Sequence, residues 1–348
     1  MVSVCTFSHF CFCLLLLVLA VLGERAVLLA QTAEQLNQSA SRALAAGQLD
    51  AALSELQQAA KRSPQDPRIQ YNLGLALSRK GRFREAVVPL KKAAVDPVLA
   101  TEAHFLLGVD YFENKDYAAA IAELRGLDNS VSRERVLYML EESNRRTSRL
   151  GEAKAAFHEL MTNYPDSAWT HYLLGNAYED QQELDKAIEE YKQALGKDSS
   201  IPNAQFAIGY LYWRQGDMEN AREWLEKEIT KGCHGLATYY LGEISRSEKD
   251  LPKAESLYRR SLACDGSNSN AHLRLGMLLE EQKRYGEAAV QLKEATRLTP
   301  DVSSGHYHLA SVYRSLGRKA EAQIEFDKVR QIQAGKDNGV DVTRGAKD

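Results

Sequence analysis

The feature that most constrains this chain is a period. Alanines that follow a short turn recur at Ala52, Ala86, Ala120, Ala153, Ala187, Ala221, Ala254, Ala288 and Ala322, spaced 34 residues apart with two intervals of 33. Twelve residues before them stand Ala40, Gly74, Gly108, Gly175, Gly209, Gly242, Gly276 and Ala310, with Glu141 as the one large residue in that series. Glycine costs about 1 kcal/mol relative to alanine inside a helix, so its recurrence within apolar, helix-like runs needs a packing reason. Two amphipathic helices crossing closely, small residue against small residue, supply one. Four residues after each alanine a bulky side chain follows on the same face, Leu56, Leu90, Leu124, Phe157, Tyr191, Leu225, Tyr258, Leu292 or Phe326. Gly47, Gly81, Gly216 and Gly317 read as turns within units, and Pro64, Pro97, Pro165 and Pro300 as unit ends.

A repeat of this length is one supersecondary unit that cannot bury its apolar face alone, so stacked units must share a continuous core. The motifs "YNLG" at 71–74, "HYLLGNAY" at 171–178 and "AIEEYKQAL" at 187–195 resemble the tetratricopeptide repeat, a helix-turn-helix unit. Nine units begin near residues 33, 67, 101, 134, 168, 202, 235, 269 and 303. The resemblance implies an all-α chain, a right-handed superhelical α-solenoid whose first helices line a concave side. The array is expected over 33–334. Looser junctions are expected near 125–133, where Gly126 interrupts a second helix, and over 230–237. Residues 335–348 lack apolar periodicity and read as a mobile polar tail.

Residues 1–30 stand apart. The 13-residue apolar run Cys11–Gly23 fits a secretory signal and is short for a membrane span of about 20 residues. A cleaved signal peptide, giving a secreted or periplasmic protein, is the expectation. A retained N-terminal anchor facing the exterior is the alternative, and the membrane is a partner only in that case. Of five cysteines, Cys233 and Cys264 lie beyond this segment; so sparse a pair reads as isolated thiols.

Function classes narrow by composition and by motif. A net charge of −3 over 348 residues, with basic and acidic side chains interleaved, gives no attraction for nucleic acid. No phosphate loop, nucleophile elbow or H-E-x-x-H pair occurs, and the repeats leave no stretch for an enzyme domain; no catalytic residue, cofactor or metal is expected. His104, His171, His272 and His306 share one place in different units. Equivalent residues of neighbouring units lie too far apart to share a zinc ion, so they read as packing groups at the core edge.

What remains is a protein or peptide ligand held on the concave face. Tyr71, Phe105, Tyr138, Tyr172, Phe206, Tyr239 and Tyr307 occupy equivalent places on first helices, with Trp169 and Trp213 nearby, and aromatic side chains dominate binding hot spots. Arg68, Arg135 and Arg145 add positive charge toward one end, and Glu243, Glu280 and Glu281 negative charge toward the other. The mixture reads as a solvated face in preference to a charge-selective groove. No unit carries the Lys and Asn pair that some tetratricopeptide repeat proteins use to clamp a chain terminus. The chain is therefore expected to be a non-enzymatic, exported scaffold; the alternative is a membrane-anchored accessory subunit of an envelope or secretion assembly.

Overall fold

A computed structural model describes residues 31–127, 132–230 and 232–341, with side chains to residue 335. The proposed signal or anchor lies outside these residues, as do 128–131 within the first expected junction and 342–348 of the expected tail. Among the described residues there are eighteen helices and no strand. They alternate as first and second helices of nine hairpins: α1 (Ala33–Ala45) with α2 (Leu49–Arg62), α3 (Pro67–Arg79) with α4 (Phe83–Ala93), α5 (Ala100–Glu113) with α6 (Tyr117–Leu124), and α7 (Arg133–Arg146) with α8 (Leu150–Asn163). Then come α9 (Ala168–Asp180) with α10 (Leu184–Lys197), α11 (Ala204–Gln215) with α12 (Met218–Thr230), α13 (Gly235–Ser247) with α14 (Leu251–Cys264), α15 (Ser269–Glu281) with α16 (Tyr285–Leu298), and α17 (Ser303–Ser315) with α18 (Lys319–Asp341).

Local chemistry sets the helix ends. Thr32 closes a capping box with Gln35, Pro67 occupies the first turn of α3, and Asp66, Asp116, Ser167, Asp250 and Asn268 accept backbone N–H bonds at their helix starts. Every hairpin turn carries one residue with left-handed backbone at the same place in its unit. Four are the expected glycines, and the others are Lys115, Ser148, Gln182, Lys249 and Lys283.

The chain divides into two compact units, one ending at Pro165 and one beginning at Asp166. The division falls at neither expected junction. In the first unit, α6 stops at Leu124, before Gly126, and is the shortest helix described. Beside its end, along α7 and α8, lies a cavity of about 360 Å³ lined in part by Arg125, Arg133 and Asn144. At the other end of the chain α18 continues to Asp341, so residues 335–341, expected in a mobile tail, are helical. No proline interrupts that segment, and Gly335 and Gly339 lower its helix propensity without ending the helix.

The glycines do not face the period alanines. A Cβ on Gly74 would meet Leu90 side-chain atoms at 2.5 Å, one on Gly175 the Tyr191 ring at 2.6 Å, and one on Gly242 the Tyr258 ring at 2.7 Å. Each glycine is a socket for the bulky residue four positions after the alanine, and the alanines, fully buried, let the second helix come close enough to fill it. Gly175→Ala should therefore lower stability by about 1–3 kcal/mol despite alanine's better helix propensity, because the Tyr191 side chain is enclosed and cannot step aside. A thermal melt checks this; a variant that melts at or above the parent temperature would show that the socket has slack.

The candidate protein-binding face

Within each unit, first helices of successive hairpins touch one another: α1 with α3, α3 with α5 and α5 with α7 in the first, and α11 with α13 and α15 with α17 in the second. First helices therefore share one face of each stack, and the expected aromatic positions can be placed on it.

In the first unit Tyr71, Phe105 and Tyr138 are half-buried. The Arg135 guanidinium lies 5.7 Å from the Phe105 ring centre, and Phe112 packs edge-on to Tyr138 at 5.8 Å. Burial, followed by the nearby Glu102 carboxylate, raises the Tyr71 phenol above its usual range, against the pull of Arg79. Arg68 is exposed, and exposed Arg145 is paired with Glu142, which also holds Arg146 at 2.6 Å.

The second unit corrects part of the expected stripe. Trp169, Tyr172 and Tyr239 are only 8%, 8% and 7% exposed, which makes them core residues. The cause lies in the sockets. Where the filler is a tyrosine, the aromatic residue of the first helix turns onto it: Tyr172 sits 5.4 Å from Tyr191, and Tyr239 lies 6.0 Å from Tyr258. In the α11–α12 hairpin the filler is Leu225, and Phe206 stays half-buried on the shared face. Tyr307, in the last hairpin, is 53% exposed.

What the structure brings together is a four-ring cluster on α11 and α13. Phe206, Tyr210 and Trp213 run along one side of α11, with near-parallel rings at centre spacings of 6.0 and 6.2 Å and interplanar angles of 14° and 16°. Tyr240 leans across from α13, 5.1 Å from Tyr210 and 4.8 Å from Trp213. All four remain half-exposed. Tyr210 and Tyr240 were not among the expected residues. The 206, 210, 213 spacing, which aligns three rings on one helix face, was the signal that could have found Tyr210; Tyr240 lies one position after the expected Tyr239.

His234 stands at the end of this row. It caps α13, its Nδ1 accepting the Ala237 N–H at 3.0 Å, and its ring stacks on Phe206 at 4.8 Å. Its Nε2–H donates to Asn203 Oδ1 at 3.2 Å, which fixes a neutral imidazole. Burial pushes its pKa below the usual histidine value, with Glu228 pulling the other way. The adjacent Cys233 is disulfide-bonded to Cys264, the last residue of α14, with Cα atoms 5.5 Å apart. The expectation of isolated thiols is thus overturned. They stand 31 residues apart, a little less than one repeat, and the bond holds the end of α14 beside the turn that begins α13.

Charges on this face pair across hairpins. Arg214 reaches Glu179 at 3.5 Å, bonds Gln182 and lies over the Tyr210 ring; Arg274 meets Glu243 at 3.3 Å; His308 bonds Glu280 at 2.7 Å. The four recurrent histidines join the two helices of their own hairpins: His104 to Glu123 at 2.6 Å, His171 to Glu190 at 2.7 Å, His272 to Gln291 at 2.8 Å and His306 to Glu325 at 2.5 Å. Among the described residues no three His, Cys, Asp or Glu side chains are grouped to hold a metal ion, and no helix is long and apolar enough to cross a membrane.

Comparison with known proteins agrees with this geometry. The chain is 29% identical over 140 residues to the type IV pilus assembly protein PilF of Pseudomonas aeruginosa, covering 39% of this chain and 55% of that one. It is 23% identical over 164 residues to anaphase-promoting complex subunit 3 of Schizosaccharomyces pombe, covering 47% and 24% respectively. It thus spans between a quarter and about half of the length of these relatives. Among solved structures, the hetero-tetramer Cut9–Hcn1 of the anaphase-promoting complex superposes with a TM-score of 0.60 at 15% identity, over 80% of this chain and 56% of that one, a likeness of fold. The tetratricopeptide repeat model matches residues 37–98, 143–200, 172–232 and 273–337, more than half of the sequence, and the chain belongs to the tetratricopeptide repeat family.

Proposed function

We propose that this chain is a non-enzymatic scaffold that holds another protein on the shared face of its first helices, and that it works outside the cytoplasm. The observation that carries the reading is the half-exposed cluster of Phe206, Tyr210, Trp213 and Tyr240. Four large rings left partly open to solvent, on helices rigidly packed from behind, form the kind of preorganised aromatic surface in which binding energy concentrates. Export is supported by the Cys233–Cys264 bond, since disulfides persist in oxidising compartments and are rare in the cytosol, and by the apolar run at Cys11–Gly23.

A second reading, a membrane-anchored accessory subunit of an envelope or secretion assembly, is favoured by the likeness to PilF, which is a pilus assembly protein. The two differ in the fate of residues 1–30, and N-terminal sequencing of the purified protein separates them.

Affinity capture with the tagged chain tests the binding face. Tyr210→Ala and Trp213→Ala should each cost about 1–2 kcal/mol of affinity for a captured partner. Arg297→Ala, on the second helix α16 and paired among the described residues with Glu294 three positions before it, should change nothing. Loss of capture in Arg297→Ala, with both aromatic variants folded and binding normally, would move the site to the second helices.

A further inference from the structure

We infer that the Phe206 end of the aromatic row receives an arginine side chain of the bound protein, its guanidinium stacking on the ring and donating to the Glu228 carboxylate. The inference rests on the proposed binding face and names the chemistry of its ligand.

The repeat period supplies the first argument. Glu228 occupies a place that the other eight units give to an uncharged residue, alanine in Ala59, Ala93, Ala194 and Ala295. It is only 7% exposed, and a carboxylate set among packed helices costs stability unless partners compensate it. Its partners do not. Oε2 is buried with no hydrogen-bond partner among the described residues, and Oε1 has His234 Nε2 at 3.9 Å, on an imidazole kept neutral by its bonds to Asn203 and Ala237.

A second acceptor stands beside the first ring. Gln205 immediately precedes Phe206, at the place where His104, His171, His272 and His306 each bond a carboxylate or amide 19 residues further on. Here the residue 19 positions on is Trp224, and Gln205 Oε1 is buried with no partner among the described residues. Since the His234 ring joins Glu228 to Phe206, both acceptors border one end of the row. They call for donors. A guanidinium supplies five N–H donors and no acceptor, in a planar group that stacks on aromatic faces, whereas an ammonium has no flat face to offer the ring.

Charge decides which end of the row is used. At the Trp213 end Arg214 already lies over the Tyr210 ring at 5.7 Å and pairs with Glu179, so a second cation there meets a like charge. At the other end Gln205, Phe206 and His234 are all half-exposed, and among the described residues no lysine or arginine pairs with Glu228. An incoming cation is attracted there by both the ring face and the carboxylate.

The test titrates the purified protein, its disulfide intact, by NMR at constant pH with two acetylated, amidated pentapeptides. One is Gly-Ser-Arg-Ser-Gly; the other replaces arginine by citrulline, which keeps the side chain's shape and lacks its charge. The arginine peptide should shift the His234 ring signals and bind at least fivefold more tightly than the citrulline peptide. Glu228→Gln should remove that preference, and Phe206→Ala should weaken the arginine peptide at least threefold. Glu228→Ala, which restores the residue the period favours, should lose the preference while melting at a higher temperature than the parent. That pairing separates a carboxylate kept for a ligand from one that holds the fold. Equal or absent binding of the two peptides, a preference that survives Glu228→Gln, or a Glu228→Ala variant that melts lower than the parent overturns the inference. If that happens while Tyr210→Ala and Trp213→Ala still weaken capture of the natural partner, only the ligand class is wrong. If capture is also indifferent to them, the binding face falls as well.

Discussion

Replacing both Cys233 and Cys264 by serine should lower the unfolding free energy of the second unit by about 3–4 kcal/mol. The bond closes a loop of 31 residues, and a crosslink of that span removes chain entropy from the unfolded state on that order. The folded geometry has other supports at the same place. Ser261 Oγ donates to the Gly235 carbonyl at 2.7 Å, and a Cβ on Gly235 would lie 2.9 Å from Asp265 Cβ, so the turn and the end of α14 are in contact apart from the bond. The reduced protein should therefore remain folded, with the loss appearing as a lower urea midpoint. Reductant should bring the parent protein to the midpoint of the double serine variant and leave that variant unmoved. A variant as stable as the oxidised parent would show that the unfolded chain gains nothing from losing the bond.

The disulfide also marks the limit of what the sequence made legible. A 34-residue period survives every surface substitution because the same hairpin must be packed each time, so helix order, turn positions and the small residues of the crossing could be read without coordinates. The partner of each glycine could not, since periodicity relates Gly175 equally to Ala187 and to Tyr191, and only the three-dimensional approach selects the ring. The same ambiguity put Tyr172 and Tyr239 on the surface. Equivalent places share a backbone orientation, but the side chain's fate depends on whether its hairpin's filler is tyrosine or leucine. Two thiols give no period at all. In five of the nine turns no glycine marks the left-handed residue, because lysine, serine and glutamine hold that backbone there, a strain that the flanking helices impose.

One departure from the period was readable and carries the last prediction. Asp110 stands where six other units place Ala76, Ala177, Leu211, Ile244, Leu278 and Val312 and the remaining two Arg42 and Ser143, and it is fully buried. Its Oδ2 lies 2.8 Å from Ser78 Oγ, which is also 2.9 Å from the Gly74 carbonyl; its Oδ1 is buried with no hydrogen-bond partner among the described residues. A serine has one hydroxyl proton. If it goes to Gly74, the carboxyl must supply the second hydrogen bond itself, which requires protonated Asp110. Burial, assisted by nearby Glu113 and opposed by the Ser78 bond, pushes its pKa up to about 7. An unfolded aspartate titrates near 3.9. Below that value both states are protonated and ionisation costs the fold nothing; between about pH 4 and 7 the unfolded chain ionises first, and stability falls as pH rises. Above pH 7 the full penalty, about 4 kcal/mol, is in force. Asp110→Asn, which keeps the shape and cannot ionise, should thus match the parent near pH 4 and exceed it by that amount at pH 8, with Asp110→Ala showing the same pH trend. Urea unfolding at pH 4, 6 and 8 measures the difference. An advantage that is constant with pH would mean the carboxyl is ionised throughout, with the unpartnered oxygen reached by solvent.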